Sequence, residues 1–324
     1  MSHPLPFTRE NIPPQFLSRY FEKNAEQRYL MQVLEFMLWR RGRMILPPHR
    51  ARVMQEFLQE EMEDFFGKGL FRIPQLQFLL TTRCSLRCKN CNAYMPYFGG
   101  SRSHAHHDIS PEDFRRDLER LAGAVAGIRR FILIGGEPLL HPRLMEIVEI
   151  AVKSPLVSVV EIITNGTLVP RPEELEALAK HRDRLYFHIS NYAANSALAP
   201  RLKHEALLQA LKEHGLRHQM AEAPVWQEER PLSGRLDDAA VAAMFDSCWI
   251  KRCVQALDGQ IAICPKASSG YELGMAEKKP GELVDLRSGE DVRTQLLAFY
   301  QKPFFDVCRG CARIGKEVLV AEQL

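Results

Sequence analysis

Long apolar runs and net charge are what this sequence lacks. Forty-three Lys and Arg stand against forty Asp and Glu, a formal charge of +3 over 324 residues. That balance gives no reason to expect a nucleic acid or an anionic membrane as partner. The most apolar early stretch, Tyr29 to Trp39, is interrupted by Gln32 and Glu35 and stops at Arg40-Arg41. It is shorter than the roughly 20 residues a bilayer span needs. The opening MSHPLPFTRENIPPQF has no basic region leading into an apolar run, so it does not read as a secretory signal. Internal repeats beyond the strand–helix alternation, and low-complexity tracts, are also missing. The expectation is a cytoplasmic globular chain, and 46% hydrophobic residues allow it a sizeable core.

Cysteine is not scarce. The eight lie at 84, 88, 91, 248, 253, 264, 308 and 311, in three tight groups. The cytoplasm keeps thiols reduced, so grouped thiols there point to metal and not to disulfides.

Residues 1–13 carry three prolines and read as an extended arm. From Pro14 to about Phe66 the apolar spacing is helical, with Leu30, Val33, Leu34, Met37 and Leu38 before the Pro47-Pro48 break and Val53, Phe57, Leu58, Met62 and Phe65 after it. Two helices packed on the main body are expected there, and the acidic run Glu60 to Asp64 reads as an exposed helix face.

At Leu76 the rhythm changes. Strands are expected over Leu76 to Thr82, 130–135, 157–164 and 185–190, with a weaker one near 216–221. Helices are expected over about 110–125, 142–153, 172–181 and 198–214. Near-continuous apolar strands alternating with helices predict a parallel sheet covered on both faces. Five to six units are too few for a closed eight-fold barrel, so an open or partial α/β barrel is predicted. Ligands in such sheets bind at the carboxyl ends of the strands. The unusual sequences fall there too: the first cysteine loop, Gly135-Gly-Glu-Pro138, Thr164-Asn-Gly-Thr167 and Ser190-Asn-Tyr192. Beyond Ser247 the alternation ends. Val254 to Ile263 predicts a hairpin turning on Asp258-Gly259, and a helix over about 289–301 precedes Cys308-Arg-Gly-Cys311.

Cys84-x3-Cys88-x2-Cys91 supplies three thiolates, one short of an ordinary four-iron cluster. The missing ligand leaves one iron open for substrate or cofactor. The rival is a structural zinc site completed by His104, His106 or His107, and with it a zinc-stabilised binding protein without catalysis. These histidines otherwise read as solvated loop residues, and Trp226 with Gln227 to Arg230 as a solvated lid.

With Gly135-Gly136-Glu137-Pro138 beginning forty-four residues after Cys91, the sequence resembles the radical S-adenosylmethionine (radical SAM) enzymes over roughly residues 75–222. The resemblance implies that Cys84, Cys88 and Cys91 hold a [4Fe-4S] cluster, and that the 135–138 motif holds the amino group of the S-adenosylmethionine (SAM) methionine moiety. It also implies that Asn165 lies near the cofactor and Ser190 near the ribose. Glycines permit close backbone approach, and a carboxylate suits an ammonium. One departure stands out: the residue before the third cysteine, often an aromatic that touches adenine, is Asn90. The implied chemistry is one-electron cleavage of SAM and hydrogen-atom abstraction from a substrate, fed by a donor such as flavodoxin or ferredoxin.

Cys248-x10-Gly259-x4-Cys264 is similar to the opening of the SPASM and twitch extensions of these enzymes, which hold auxiliary four-iron clusters. Five cysteines fit the shorter twitch type, with Cys248, Cys264, Cys308 and Cys311 as ligands of one auxiliary cluster; zinc is the rival here as well. Cys253 is left over as a buried apolar thiol, a hydrogen-atom donor or a substitute for Cys248. The implied organisation is a helical extension (1–74), a partial-barrel core (75–246) and a twitch/SPASM-like region (247–324). The expected substrate is a polar small molecule or glycan, such as a sugar or aminocyclitol, dehydrogenated or rearranged. A ribosomally made peptide, epimerised or crosslinked, is the alternative.

Overall fold

The computed structural model describes residues 60, 63–100, 104–222, 224–229, 231–311 and 316–324. The expected N-terminal helices lie almost wholly outside them. Of the acidic run, Glu60 and Glu63 are exposed as expected, whereas Asp64 at its end is buried and paired with Arg72 (2.6 Å) and Lys68 (2.9 Å).

Five parallel strands form the centre of the sheet: β1 (Leu76–Leu79), β2 (Phe131–Ile134), β3 (Val160–Thr164), β4 (Leu185–Ile189) and β5 (His218–Met220). β6 (Gln255–Leu257) joins β1 in parallel, and β7 (Gln260–Ala262) and β8 (Val284–Asp285) extend that edge antiparallel. The order is β8-β7-β6-β1-β2-β3-β4-β5, an open α/β sheet. The expected hairpin therefore continues the main sheet. Asp258 (φ 46°) and Gly259 (φ 77°) both take the left-handed conformation that a two-residue hairpin turn requires.

Helices α1 (Pro111–Ala122), α2 (Leu144–Lys153), α3 (Pro172–Ala179) and α4 (His204–Glu213) connect the parallel strands. Each turns an apolar stripe onto the sheet. Ser110 caps α1 by accepting from Asp113 N (3.0 Å), with Pro111 in the first turn. α4 starts later than the expected position near 198. Pro200 interrupts the run, since it lacks an N–H and disfavours helix in the residue before it. α5 (Asp238–Ser247), α6 (Pro265–Glu272) and α7 (Val292–Gln301) follow, the first two unanticipated.

Alternation along the strands sorts the two faces of the sheet. Phe78, Phe131, Leu133, Val160, Ile162, Leu185 and Phe187 enter the core under the helices, where Phe78 meets Phe114 edge-on at 5.0 Å. The opposite face carries Gln77, Glu161 and His188, with Arg130 bonded through Nε to Glu161 at 2.6 Å and through Nη1 to Gln75 at 2.9 Å. Arg287 ties the C-terminal part to α1 through both oxygens of fully buried Asp117 (2.9 and 2.8 Å). Among the described residues no helix is long and apolar enough to cross a membrane.

Candidate cluster and cofactor site

The four polar signatures meet at the carboxyl ends of β1 to β4, where they surround a cavity of about 510 Å³. Cys84, Cys88 and Cys91 line it together with Gly135, Gly136, Asn165 and Ser190. None of the eight cysteines is in a disulfide.

The loops brace one another. Gly136 N bonds Thr81 O (2.7 Å) and Glu137 N bonds Arg83 O (2.8 Å), laying the glycine pair against the cysteine loop. A Cβ on Gly135 would stand 2.7 Å from Thr81 O, and one on Gly136 the same distance from Cys84 Cβ. The glycines therefore serve contact between two loops as well as the approach of a ligand. Glu137 is sealed, and its carboxylate accepts from Thr164 Oγ1 (2.8 Å), Asn165 N (2.8 Å) and Leu139 N (3.2 Å). Burial pushes its pKa up to about 7. Its oxygens fix the third loop to the second, and buried Pro138 behind it opens a 3₁₀ turn. Asn165 Nδ2 reaches Ser85 Oγ (2.9 Å) and the Cys84 sulfur (3.7 Å).

Burial raises the Cys84 thiol to about 12 and Cys88 to about 11, and it raises Cys91 as well; the neighbouring thiols add to the rise at Cys84 and Cys88. Three thiols crowded out of water do not ionise together unless a cation joins them, and a metal group supplies that charge. The donor set thus fits an iron–sulfur cluster. Among the described residues, no three His, Cys, Asp or Glu side chains close to the spacing of a single ion. A cluster asks for wider spacing than zinc, since each thiolate meets a different iron. His106 Nδ1 lies 3.3 Å from Thr82 Oγ1, His107 N donates to that same oxygen (2.8 Å), and neither these two nor His104 lines the cavity.

Residues 78–218 match the radical SAM superfamily model. The chain carries a radical SAM domain. Members of this superfamily are enzymes, and the family implies a [4Fe-4S] cluster and SAM. Two curated relatives are GTP 3′,8-cyclases. That of Chlorobaculum tepidum is 30% identical over 124 residues (37% of this chain, 32% of the relative). That of Pelotomaculum thermopropionicum is 36% identical over 109 residues (34% and 31%). The chain thus spans about a third of the length of these relatives. Among solved structures, BtrN in complex with AdoMet and 2-DOIA aligns at TM-score 0.43 and 15% identity, covering 78% of this chain and 98% of that one. Streptococcus suis SuiB bound to precursor peptide SuiA aligns at TM-score 0.37 and 16% identity (62% and 42%).

Beside this cavity, Cys248, Cys264, Cys308 and Cys311 line a second, smaller one. Cys248 ends α5; Cys264 caps α6 by accepting from Ala267 N (3.4 Å); Cys308 and Cys311 sit on one tight turn. Burial raises Cys264 well above the ordinary thiol value, and Cys308, Cys248 and Cys311 push it further. Cys253 does not line that second cavity. It lines the first cavity, and burial pushes its thiol up to about 11.

Three features escaped the sequence reading. Trp226-Gln227 is not a solvated lid. It pairs antiparallel with Glu317-Val318, and Trp226 lines the cavity edge-on to Tyr192 (5.7 Å). The partner strand lies about ninety residues further on, beyond reach of any local pattern. Asn90, in the place of an aromatic, accepts from Glu229 N (3.1 Å) and anchors this wall to the cysteine loop. Gln77 and Gln255 line the cavity from inward positions of β1 and β6. A period-two reading of Leu76 to Leu79 would have exposed Gln77.

Proposed function

We propose that the chain is a radical SAM enzyme that abstracts a hydrogen atom from a polar small molecule without phosphates, such as a sugar or aminocyclitol, to dehydrogenate or rearrange it. The observation that carries this reading is the single cavity shared by three cluster-type cysteines, the glycine pair and a polar floor. When bound, the cluster and SAM supply a 5′-deoxyadenosyl radical. Cys84, Cys88 and Cys91 would hold the iron, Gly135 and Gly136 would let the methionine end approach, and Ser190 would face the ribose.

The floor supports the substrate class. Gln77 and Gln255 are buried, and Gln255 Oε1 has no donor among the described residues. A buried acceptor left unpaired costs about 1–3 kcal/mol, which a ligand hydroxyl or amine would offset. Among the described residues no Lys or Arg lines the cavity, and its carboxylate, Glu229, is held by Lys266 at 2.6 Å. A nucleoside triphosphate would call for cationic partners to its phosphates.

We place an auxiliary [4Fe-4S] cluster on Cys248, Cys264, Cys308 and Cys311. Glu229 and Ile250 line both cavities, so such a cluster would neighbour the substrate and could accept its electron.

Anaerobic reconstitution followed by iron and sulfide assay is the first test. About eight irons per chain are expected, and SAM with a reductant should yield 5′-deoxyadenosine. Deuterium from a labelled polyol or aminocyclitol should appear in that product. A colourless protein without iron or SAM cleavage would overturn the reading. Deuterium transfer from a nucleotide alone would overturn the substrate class.

A further inference from the structure

Residues 316–324 lie across the cysteine loop and bond to it at several points. Lys89 N donates to Glu322 O (2.7 Å), Leu324 N donates to Arg87 O (2.8 Å), and Cys88 and Gln323 face each other in an isolated antiparallel bridge. Val320 and Ala321 pack with Leu86, Cys88 and Leu198. Asn195 Nδ2 donates to Val320 O (2.9 Å) and Ala321 O (3.2 Å). The same segment holds the cavity wall, through Glu317-Val318 against Trp226-Gln227 and through Lys316 O, which accepts from Glu228 N (2.9 Å). One strap thus connects the cysteine loop to the wall that faces it.

Gln323 is the polar side chain of this strap that reaches a ligand sulfur. Its Oε1 accepts from Arg87 N at 2.8 Å. A backbone N–H can only donate, so the oxygen of the amide is fixed on that side. Nε2 then faces inward, where one bond goes to Ala321 O (2.7 Å) and one to the Cys88 sulfur (3.4 Å). Both ends of the amide are engaged, and its orientation follows from the chain's own bonds.

We propose that Gln323 is a positioning residue for the radical SAM cluster: its amide N–H to Cys88 holds that thiolate and raises the cluster's reduction potential. This rests on the cluster reading above. Hydrogen bonds to cluster sulfurs are among the factors that set such potentials. Reduction adds negative charge to the sulfurs, so a donor stabilises the reduced state more than the oxidised one. SAM cleavage begins with that reduced state, which makes the bond functional as well as structural.

Two variants separate the donor from the strap. Gln323→Glu keeps the shape and the acceptor for Arg87 N, but it replaces the N–H with a negative oxygen. Gln323→Leu removes both polar ends. Each is reconstituted in the full chain, iron is counted, and the potential of the cluster whose EPR signal responds to SAM is measured by redox titration. In Gln323→Leu, reduction should become about tenfold less favourable, a shift of about 59 mV to lower potential for one electron; Gln323→Glu should shift further in the same direction. A wild-type potential in either iron-loaded variant overturns the proposal and leaves the cluster reading standing. Loss of this cluster from both variants, with an unchanged far-UV circular dichroism spectrum, would support the positioning role. A wild-type protein that assembles no SAM-responsive cluster would overturn both.

Discussion

The two cysteine sites are built in opposite ways. At the sheet rim, three thiols come from eight consecutive residues, and the loops around them belong to successive strands of one parallel sheet. The second set draws its thiols from the end of α5, the start of α6 and a turn some forty residues later. The first is therefore a local site on a rigid scaffold, whereas the second exists only once three distant segments have packed. A local loop presents its ligands before folding is complete. A dispersed set closes long loops, so a metal bound there would staple segments that already share the main core through Phe245, Ala267, Tyr271 and Phe305.

The largest effect that tests this contrast is loss of a ligand. Cys88→Ala is expected to remove about four irons and to lower 5′-deoxyadenosine formation more than a thousandfold. Cys308→Ala should also remove about four irons, yet retain SAM cleavage while product formation from substrate is lost. Iron content with paired assays of 5′-deoxyadenosine and product reads the difference. If Cys308→Ala abolished SAM cleavage while the rim cluster stayed loaded, the division of labour between the sites would be wrong.

Legibility in the sequence followed the same line of local against distant. The five parallel strands, four connecting helices and hairpin lay close to their expected places, because their signals repeat every two or three to four residues. The cysteine loop and Gly135-Gly136 were readable as rim motifs because strand ends and motifs coincide along the chain. Trp226 was not readable as a cavity wall, nor Gln323 as a partner of Cys88, since each role depends on a segment about ninety or more residues away. Glu137 was visible as a carboxylate suited to an ammonium. That Thr164, Asn165 and Leu139 occupy its oxygens became evident only when the strands stood side by side.

Glu137 gives a smaller effect specific to the rim. Its folded pKa, about 7, lies above the ordinary carboxylate value of 4.5. Below pH 4.5 it is protonated in both states. As pH rises from 4.5 to 7 the unfolded chain releases the proton while the folded chain retains it, so stability falls across that window and levels off above it. The loss is about 3 kcal/mol from this residue. Glu137→Gln should lack this component, so urea unfolding at pH 5 and pH 8 should show a shallower decline than in wild type. Parallel profiles for the two proteins would mean that the carboxylate keeps an ordinary pKa and does not act as a buried brace.

The smallest expected effect concerns the second site, where Cys264 has two jobs. Its sulfur caps α6 through Ala267 N, and its thiol belongs to the dispersed set. Serine retains a capping oxygen but is a poor cluster ligand, whereas alanine removes both. Cys264→Ser and Cys264→Ala should therefore lose the same iron, and alanine should be less stable by a further ~1 kcal/mol, the usual worth of an N-cap. Chemical denaturation of the two variants, matched for residual iron, measures the gap. A gap near zero would assign Cys264 to the metal alone, and α6 would then depend for its position on Pro265, Ala267 and Tyr271 packing into the core.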